Sequence, residues 1–365
     1  MQKVLFVATV VKTHIMEFHL PYLKMFKEEG WRTAVAAKND YEDPADCRIP
    51  YCDDYFDVPF GRNPIAPENR RAFRQLKSLI DNGKYDIIHC HTPVGAALAR
   101  LAATDARKKG TKLIYTAHGF HFFKGASPLN WILFYPVERW LSRMTDVLIT
   151  INKEDYERAK AFGTCRVEYV PGVGIDTDKF KAKEDQAERS EALKAEFDIP
   201  EGVKVMLSVG EFTKNKNHRT VIKALKELDG YYYVICGRGA MMEDCKALAE
   251  ETGVSDRLVL AGYRNDADDF YHMADVFVHP SFREGLPVAV MEALASGLAV
   301  VATRIRGSAD LVEDGVNGFL VDDPADPEAF VAAIRRAEDF IPDTSAIKNY
   351  DIREIMQKVK RIYFG

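Results

Sequence analysis

Short apolar runs alternate along the chain with stretches of helical periodicity, and the alternation starts at the third residue. The runs K-V-L-F-V-A-T at 3–9, R-T-A-V-A-A at 32–37, D-I-I-H-C-H at 86–91, K-L-I-Y-T-A-H at 112–118 and D-V-L-I-T-I at 146–151 read as strands. Strands alternating with helices at this spacing give right-handed βαβ units and a parallel sheet covered on both faces. The rhythm restarts at V-K-V-M-L-S-V-G (203–210) and continues through Y-Y-Y-V-I-C (231–236), R-L-V-L-A-G (257–262), D-V-F-V-H-P (275–280) and L-A-V-V-A-T (298–303). The pattern predicts an α/β protein of two Rossmann-like, doubly wound domains facing each other across a cleft. The first covers 1–178 and the second 201–344, with a charged, strand-poor linker holding one short helix over 179–200. In the tail, 345–365, Ile352, Ile355, Val359 and Ile362 fall at helical spacing, so an amphipathic helix is expected to pack back on the first domain.

Composition narrows this picture. The chain has 365 residues, enough for two cores of ordinary size. Its formal net charge of −5 offers no general attraction to phosphate backbones, so nucleic acid is not an expected partner and an anionic ligand must be held locally. The six cysteines form no C-x-x-C pair, a usage that fits a reducing cytoplasm. The N-terminal apolar run Val4–Val11 is about half the length of a spanning helix and reads as the first strand. A cytoplasmic protein is expected, with contact at the inner face of the membrane and no crossing of it.

Ligands of open parallel sheets bind beyond the carboxyl ends of the strands. There the chain places Gly210 and Glu211, then Gly237-Arg238-Gly239, then Gly262-Tyr263-Arg264, and finally Ser281–Gly285. The last of these leads into a helix framed by Pro287 and Gly297, and the free amides of Gly285, Leu286 and the first turn suit a diphosphate. Glu284 lies in the loop and Glu292 about a turn and a half into the helix. The two carboxylates are therefore expected at different depths, Glu292 towards a ribose diol and Glu284 towards a transferred sugar.

The run S-F-R-E-G-L-P-V-A-V-M-E-A-L-A-S-G, with V-V-A-T-R-I-R-G and V-E-D-G-V-N-G-F-L-V after it, resembles the donor-binding half of glycosyltransferase family 4, retaining enzymes of the GT-B fold. T-A-H-G-F at 116–120, P-G-V-G-I-D at 171–176 and Lys216 extend the resemblance over most of the chain. It implies that Glu284 bonds donor-sugar hydroxyls, Glu292 holds the ribose, Lys216 pairs with the diphosphate and His118 reaches the donor sugar from the opposite domain. It further implies a UDP-sugar donor, no cofactor and no required metal. The pattern is similar to bacterial capsule and exopolysaccharide enzymes that act on polyprenyl-linked saccharides. Two positions depart from the family: Glu211 stands where an arginine is usual, passing a phosphate role to Lys214 or Arg219, and Thr9–His14 replaces a glycine pair.

Other chemistries compete for the same residues. His89, His91, His118 and His121 resemble a metal cluster, but strand-end histidines more often make hydrogen bonds, so no metal site is expected. Asp266-Ala267-Asp268 resembles a metal-binding D-x-D and is better read as a helix cap. Gly237-Arg238-Gly239 reads equally as a turn or as a nucleobase or phosphate contact, and Lys216 as a solvated lysine or a phosphate ligand. The aromatic stretch from His121 to Tyr135 fits a core, an interface or a lipid-facing surface. At the level of function, a UDP-sugar epimerase of similar fold and a non-catalytic nucleotide-sugar-binding subunit are the alternatives to transfer.

Overall fold

A computed structural model describes all residues, Met1–Gly365, as two compact units: Met1–Val173 with Ile355–Gly365, and Gly174–Glu354. The first holds seven parallel strands, β1 Lys3–Val10, β2 Arg32–Lys38, β3 Asp54–Asp57, β4 Ile87–Cys90, β5 Lys112–Ala117, β6 Val147–Thr150 and β7 Arg166–Tyr169, in the order β3-β2-β1-β4-β5-β6-β7. The second holds β8 Lys204–Val209, β9 Tyr231–Cys236, β10 Leu258–Gly262, β11 Val276–His279, β12 Ala299–Thr303 and β13 Gly318–Val321, ordered β10-β9-β8-β11-β12-β13 and again all parallel.

All ten strands expected from the apolar runs form. Three more strands form, β3, β7 and β13; β3 (D-Y-F-D) and β7 (R-V-E-Y) carry charged residues and are not fully buried, so no apolar run marks them. In both sheets the strand order reverses beside the first strand, between β1 and β4 and between β8 and β11. Neighbouring connections diverge at such a point and open a crevice past the carboxyl ends.

Two observations concern the connections. The helix Gln186–Glu196, within the stretch read as a linker, lies in the second unit, where Lys183 and Arg189 pair with Asp269 at 2.8 and 3.3 Å. The terminal helix Ile352–Phe364 buries Ile355, Val359, Ile362 and Tyr363 in one core cluster with Val4, Phe6 and Phe26 of the first unit. All six cysteines are free, and no helix is long and apolar enough to cross a membrane.

Candidate functional site

In the second unit, β8 and β9 end side by side because Gly237 lacks a side chain. A Cβ there would stand 1.9 Å from the Gly210 carbonyl oxygen, and one on Gly239 would stand 2.5 Å from that of Phe212. Both glycines thus have a packing reason, independent of any ligand. Arg238 between them is exposed, its guanidinium 5.5 Å from the centre of the Tyr263 ring. Gly210, Glu211, Gly237, Arg238, Tyr263 and Arg264 line one cavity at these strand ends.

Past β8 the chain is tied to the loop that follows β11. Phe282 N–H donates to the Asn215 carbonyl (2.8 Å), Asn215 Nδ2 to the Arg283 carbonyl (2.9 Å) and Asn217 Nδ2 to the Pro280 carbonyl (3.0 Å). These bonds bring Lys216 onto Glu284. Its Nζ lies 2.8 Å from Oε1, and His279 Nε2 donates to the same oxygen at 3.2 Å. Burial alone would raise the Glu284 pKa, but the His279 hydrogen bond and the Lys216 charge outweigh it and hold the carboxyl well below its usual range. Burial lowers the His279 pKa in spite of the carboxylate, so the ring is a neutral donor at neutral pH. Both donors act on Oε1; Oε2 takes no hydrogen bond within the chain.

The helix Val288–Ala295 begins beside this carboxylate. Pro287 occupies its cap position, one residue before the first turn, and no side chain caps the free amides there. The preceding turn is clamped from β12: Arg306 Nε donates to the Glu284 carbonyl at 3.2 Å, and a Cβ on Gly307 (φ +83°) would meet the Gly285 carbonyl at 2.4 Å. Leu286 is buried. Glu292, half-buried, accepts from the Tyr271 hydroxyl on Oε2 at 2.8 Å, leaving Oε1 open. Burial raises its pKa, the opposite direction from Glu284. Glu284, Gly285, Leu286, Lys216 and Glu292 therefore gather at the β8/β11 switch point and the helix that follows it, with Gly210, Gly237 and Arg238 at the neighbouring strand ends.

Some expectations are corrected. Lys216 engages Glu284, so any phosphate must share it. Arg219 donates to the Asp244 carbonyl (3.3 Å) and, with Lys214, lines a hollow distinct from the Gly210–Gly237 cavity. Asp266 stands at the cap position of Ala267–Met273 without capping it; its carboxylate pairs with Arg264 at 2.7 Å, and Asp268 pairs with Lys183 at 2.8 Å. A strong local cation outcompetes a backbone amide for a carboxylate. His279 and Tyr271, which orient the two glutamates, escape sequence reasoning because a strand-end histidine and an apolar-looking helix tyrosine carry no motif.

In the first unit, His118 follows β5 and is half-buried, its pKa lowered to about 4 by burial. Its Nε2 lies 3.3 Å from His91 Nδ1. Of the four histidines that resemble a metal cluster, His91 and His118 bond each other while the other two turn elsewhere: His89 bonds Tyr363 through Nδ1 and Thr116 through Nε2 (2.8 Å), and His121 stacks on Phe134 at 4.7 Å. The partners of His91 and His118 are instead His14 and His19, from the turn after β1 and the helix beyond it. The aromatic stretch divides by face. Phe120, Phe122, Trp131 and Tyr135 pack inward, while Leu129, Ile132, Leu133, Val137 and Trp140 of the helix Pro128–Ser142 are exposed.

Comparison with known proteins identifies the family and the fold. The family described as "Glycosyltransferase Family 4" matches residues 22–179, and "Glycosyl transferases group 1" matches 189–350. A Bacillus subtilis (strain 168) protein carried under the name glycosyltransferase EpsD is 43% identical over 326 residues, covering 88% of this chain and 83% of the relative. The Escherichia coli UDP-Gal:alpha-D-GlcNAc-diphosphoundecaprenol alpha-1,3-galactosyltransferase is 28% identical, over 79% of this chain and 76% of its own. The fold matches Anabaena Alr3699/HepE, solved in complex with UDP and glucose, at TM-score 0.77 and 18% identity, over 100% of this chain and 99% of that one. The chain therefore belongs to glycosyltransferase family 4 and is a glycosyltransferase of the GT-B fold.

Proposed function

We propose that the chain is a retaining enzyme that transfers a sugar from a UDP-sugar to a polyprenyl-linked saccharide during cell-surface polysaccharide synthesis. The observation that carries this reading is Glu284, ionised and held through one oxygen by Lys216 and His279, with its other oxygen unbonded and an uncapped helix starting four residues on. A carboxylate so fixed accepts hydrogen bonds from sugar hydroxyls, and the amides beside it take the diphosphate. Glu292 holds the ribose diol through its open oxygen. The relatives support donor and acceptor class, since one is named for a UDP-galactose donor and a diphosphoundecaprenol-linked acceptor, and the other is described with UDP and glucose.

In the reaction, the bond from the anomeric carbon to the diphosphate oxygen breaks while the acceptor hydroxyl oxygen bonds that carbon from the same face. The acceptor proton passes to the leaving diphosphate. Lys216 and the helix amides stabilise the charge that develops there, an electrostatic contribution of the kind that dominates group transfer. His118 contacts the donor sugar. The diphosphate is held without a metal: the acidic pair at 266 and 268 is already neutralised by Arg264 and Lys183. The exposed aliphatic face of Pro128–Ser142 rests on the inner face of the membrane, where a lipid-linked acceptor resides.

The test is incubation with α-configured UDP-sugars and a synthetic polyprenyl-diphosphate saccharide, followed by NMR of the product. An α-linked product supports the reading. A β-linked product, conversion of the UDP-sugar without acceptor, or nucleotide binding with neither transfer nor donor hydrolysis overturns it.

A further inference from the structure

Four imidazoles converge at the carboxyl ends of β1, β4 and β5. His14 sits in the π-helical turn Val11–Ile15 after β1, His19 at the start of the following helix, His91 after β4 and His118 after β5. One ring nitrogen from each lies within 4.8 Å of the other three. His19 Nε2 is 3.2 Å from His14 Nε2, and His118 Nε2 is 3.3 Å from His91 Nδ1. A tetrahedral ion bound at about 2.0–2.1 Å sets its ligands about 3.3 Å apart. Two edges of such a tetrahedron are already in place.

The surroundings leave these rings to one another. His19 and His91 are fully buried, and their remaining ring nitrogens, Nδ1 and Nε2, have no hydrogen-bond partner, so each ring makes its polar contact only within the cluster, through the nitrogen that faces His14 or His118. His14 and His118 are only half-buried, so the cluster has an approach from outside. Imidazole donors select zinc, cobalt, nickel or copper over magnesium and calcium. β1 and β4 flank the point where the strand order of this sheet reverses, the usual position of a ligand site.

We propose that His14, His19, His91 and His118 form a binding site for a divalent transition metal such as Zn²⁺, and that the bound ion withdraws His118 from sugar transfer. The metal site stands on the histidine geometry alone; the inhibition rests on the role given to His118 above. Binding and transfer are therefore measured separately.

The metal-stripped full-length protein is titrated with Co²⁺ and followed by visible absorption, then with Zn²⁺ in competition. One equivalent is expected, with the intense bands of tetrahedral cobalt, and at least tenfold weaker affinity in His14→Gln and in His118→Gln. His14 is half-buried, so its substitution leaves the fold intact, as an unchanged circular dichroism spectrum verifies. X-ray absorption of the zinc-loaded wild-type protein reads the ligands independently and is expected to show imidazole nitrogens only. Absence of saturable binding, or equal binding by wild type and both variants, overturns the site. Stoichiometric zinc is expected to lower transfer at least tenfold and a chelator to restore it. Full transfer by the zinc-loaded protein overturns the inhibition and leaves the cobalt result standing.

Discussion

Glu284 and Glu292 carry the same side chain and titrate in opposite directions because their neighbours differ. Lys216 and His279 favour the ionised form of Glu284, whereas burial dominates at Glu292, offset only in part by the Tyr271 hydroxyl and the Lys179 charge. Glu284→Gln keeps the shape, removes the charge and leaves Lys216 without its partner. We expect kcat to fall about a hundredfold with a smaller change in donor KM, the pattern of an interaction used mainly in the transition state. Glu292→Gln is expected to raise the donor KM about tenfold with kcat nearly preserved, as loss of one charged hydrogen bond in ground and transition state alike predicts. Steady-state kinetics with varied UDP-sugar checks both, and a kcat effect confined to Glu292 refutes the division of labour. The glutamates were legible in the sequence because a loop, a proline and a glycine frame them. Their orienting partners were not, since His279 and Tyr271 become special only through contacts across the fold.

Residue burial also sets a pH dependence for the second unit. His218 is buried, and burial first, then Lys216 and His279, lowers its pKa from 6.5 to about 3; that of His279 is lowered as well. The unfolded chain takes up protons below pH 6.5 where the folded chain does not. Each such histidine therefore costs about 1.4 kcal/mol of stability per pH unit as pH falls from 6.5 towards its folded pKa. Thermal melts from about pH 7.5 to about pH 5 are expected to show a falling Tm, with a shallower slope in His218→Gln. A Tm independent of pH over that range contradicts the sign.

Among the elements, the helix Pro128–Ser142 makes the sharpest division of labour. Its inner face joins the aromatic cluster of Phe122 and Phe162, while Ile132 and Leu133 are 69% and 52% exposed on the other. The sequence shows that this segment is aromatic and apolar but not which rings turn inward, because the inner partners lie on other elements. Ile132→Glu with Leu133→Glu is expected to abolish sedimentation with vesicles of anionic lipid and to leave the Tm within about 1–2 °C, since exposed positions contribute little to stability. Retained vesicle binding removes the membrane role from this helix. Ten strands were readable from their apolar runs, whereas Asp54–Asp57 and Arg166–Tyr169 are polar in composition and partly exposed.

For the molecule as a whole, the repeated α/β rhythm was visible from the first residues, but the ownership of its connections was not. The helix at 186–196 is held in the second unit by cations that pair with Asp269 some eighty residues away, a distance over which sequence spacing says nothing. The terminal helix has the reverse property: its apolar stripe announces docking, and the structure supplies the partner. Tyr363 packs on Phe26 with ring centres 4.7 Å apart, and Lys112 donates to the Ile362 carbonyl at 2.7 Å. Burying Ile355, Val359 and Ile362 at about 1.5–3 kcal/mol each contributes about 5–9 kcal/mol, comparable to the whole stability of an ordinary domain. The first unit is thus discontinuous in sequence and the second is not. Expressed alone, residues 174–354 are expected to fold cooperatively and to gain Tm on addition of UDP, because every residue of the Glu284 site lies within them. Residues 1–173 alone are expected to be soluble and cooperative only when 355–365 is restored, for instance through a short glycine-serine linker. Circular dichroism melts of the three fragments decide the matter: a stable, cooperative 1–173 means that the tail helix is dispensable, and a 174–354 fragment that folds without binding UDP moves the donor site elsewhere.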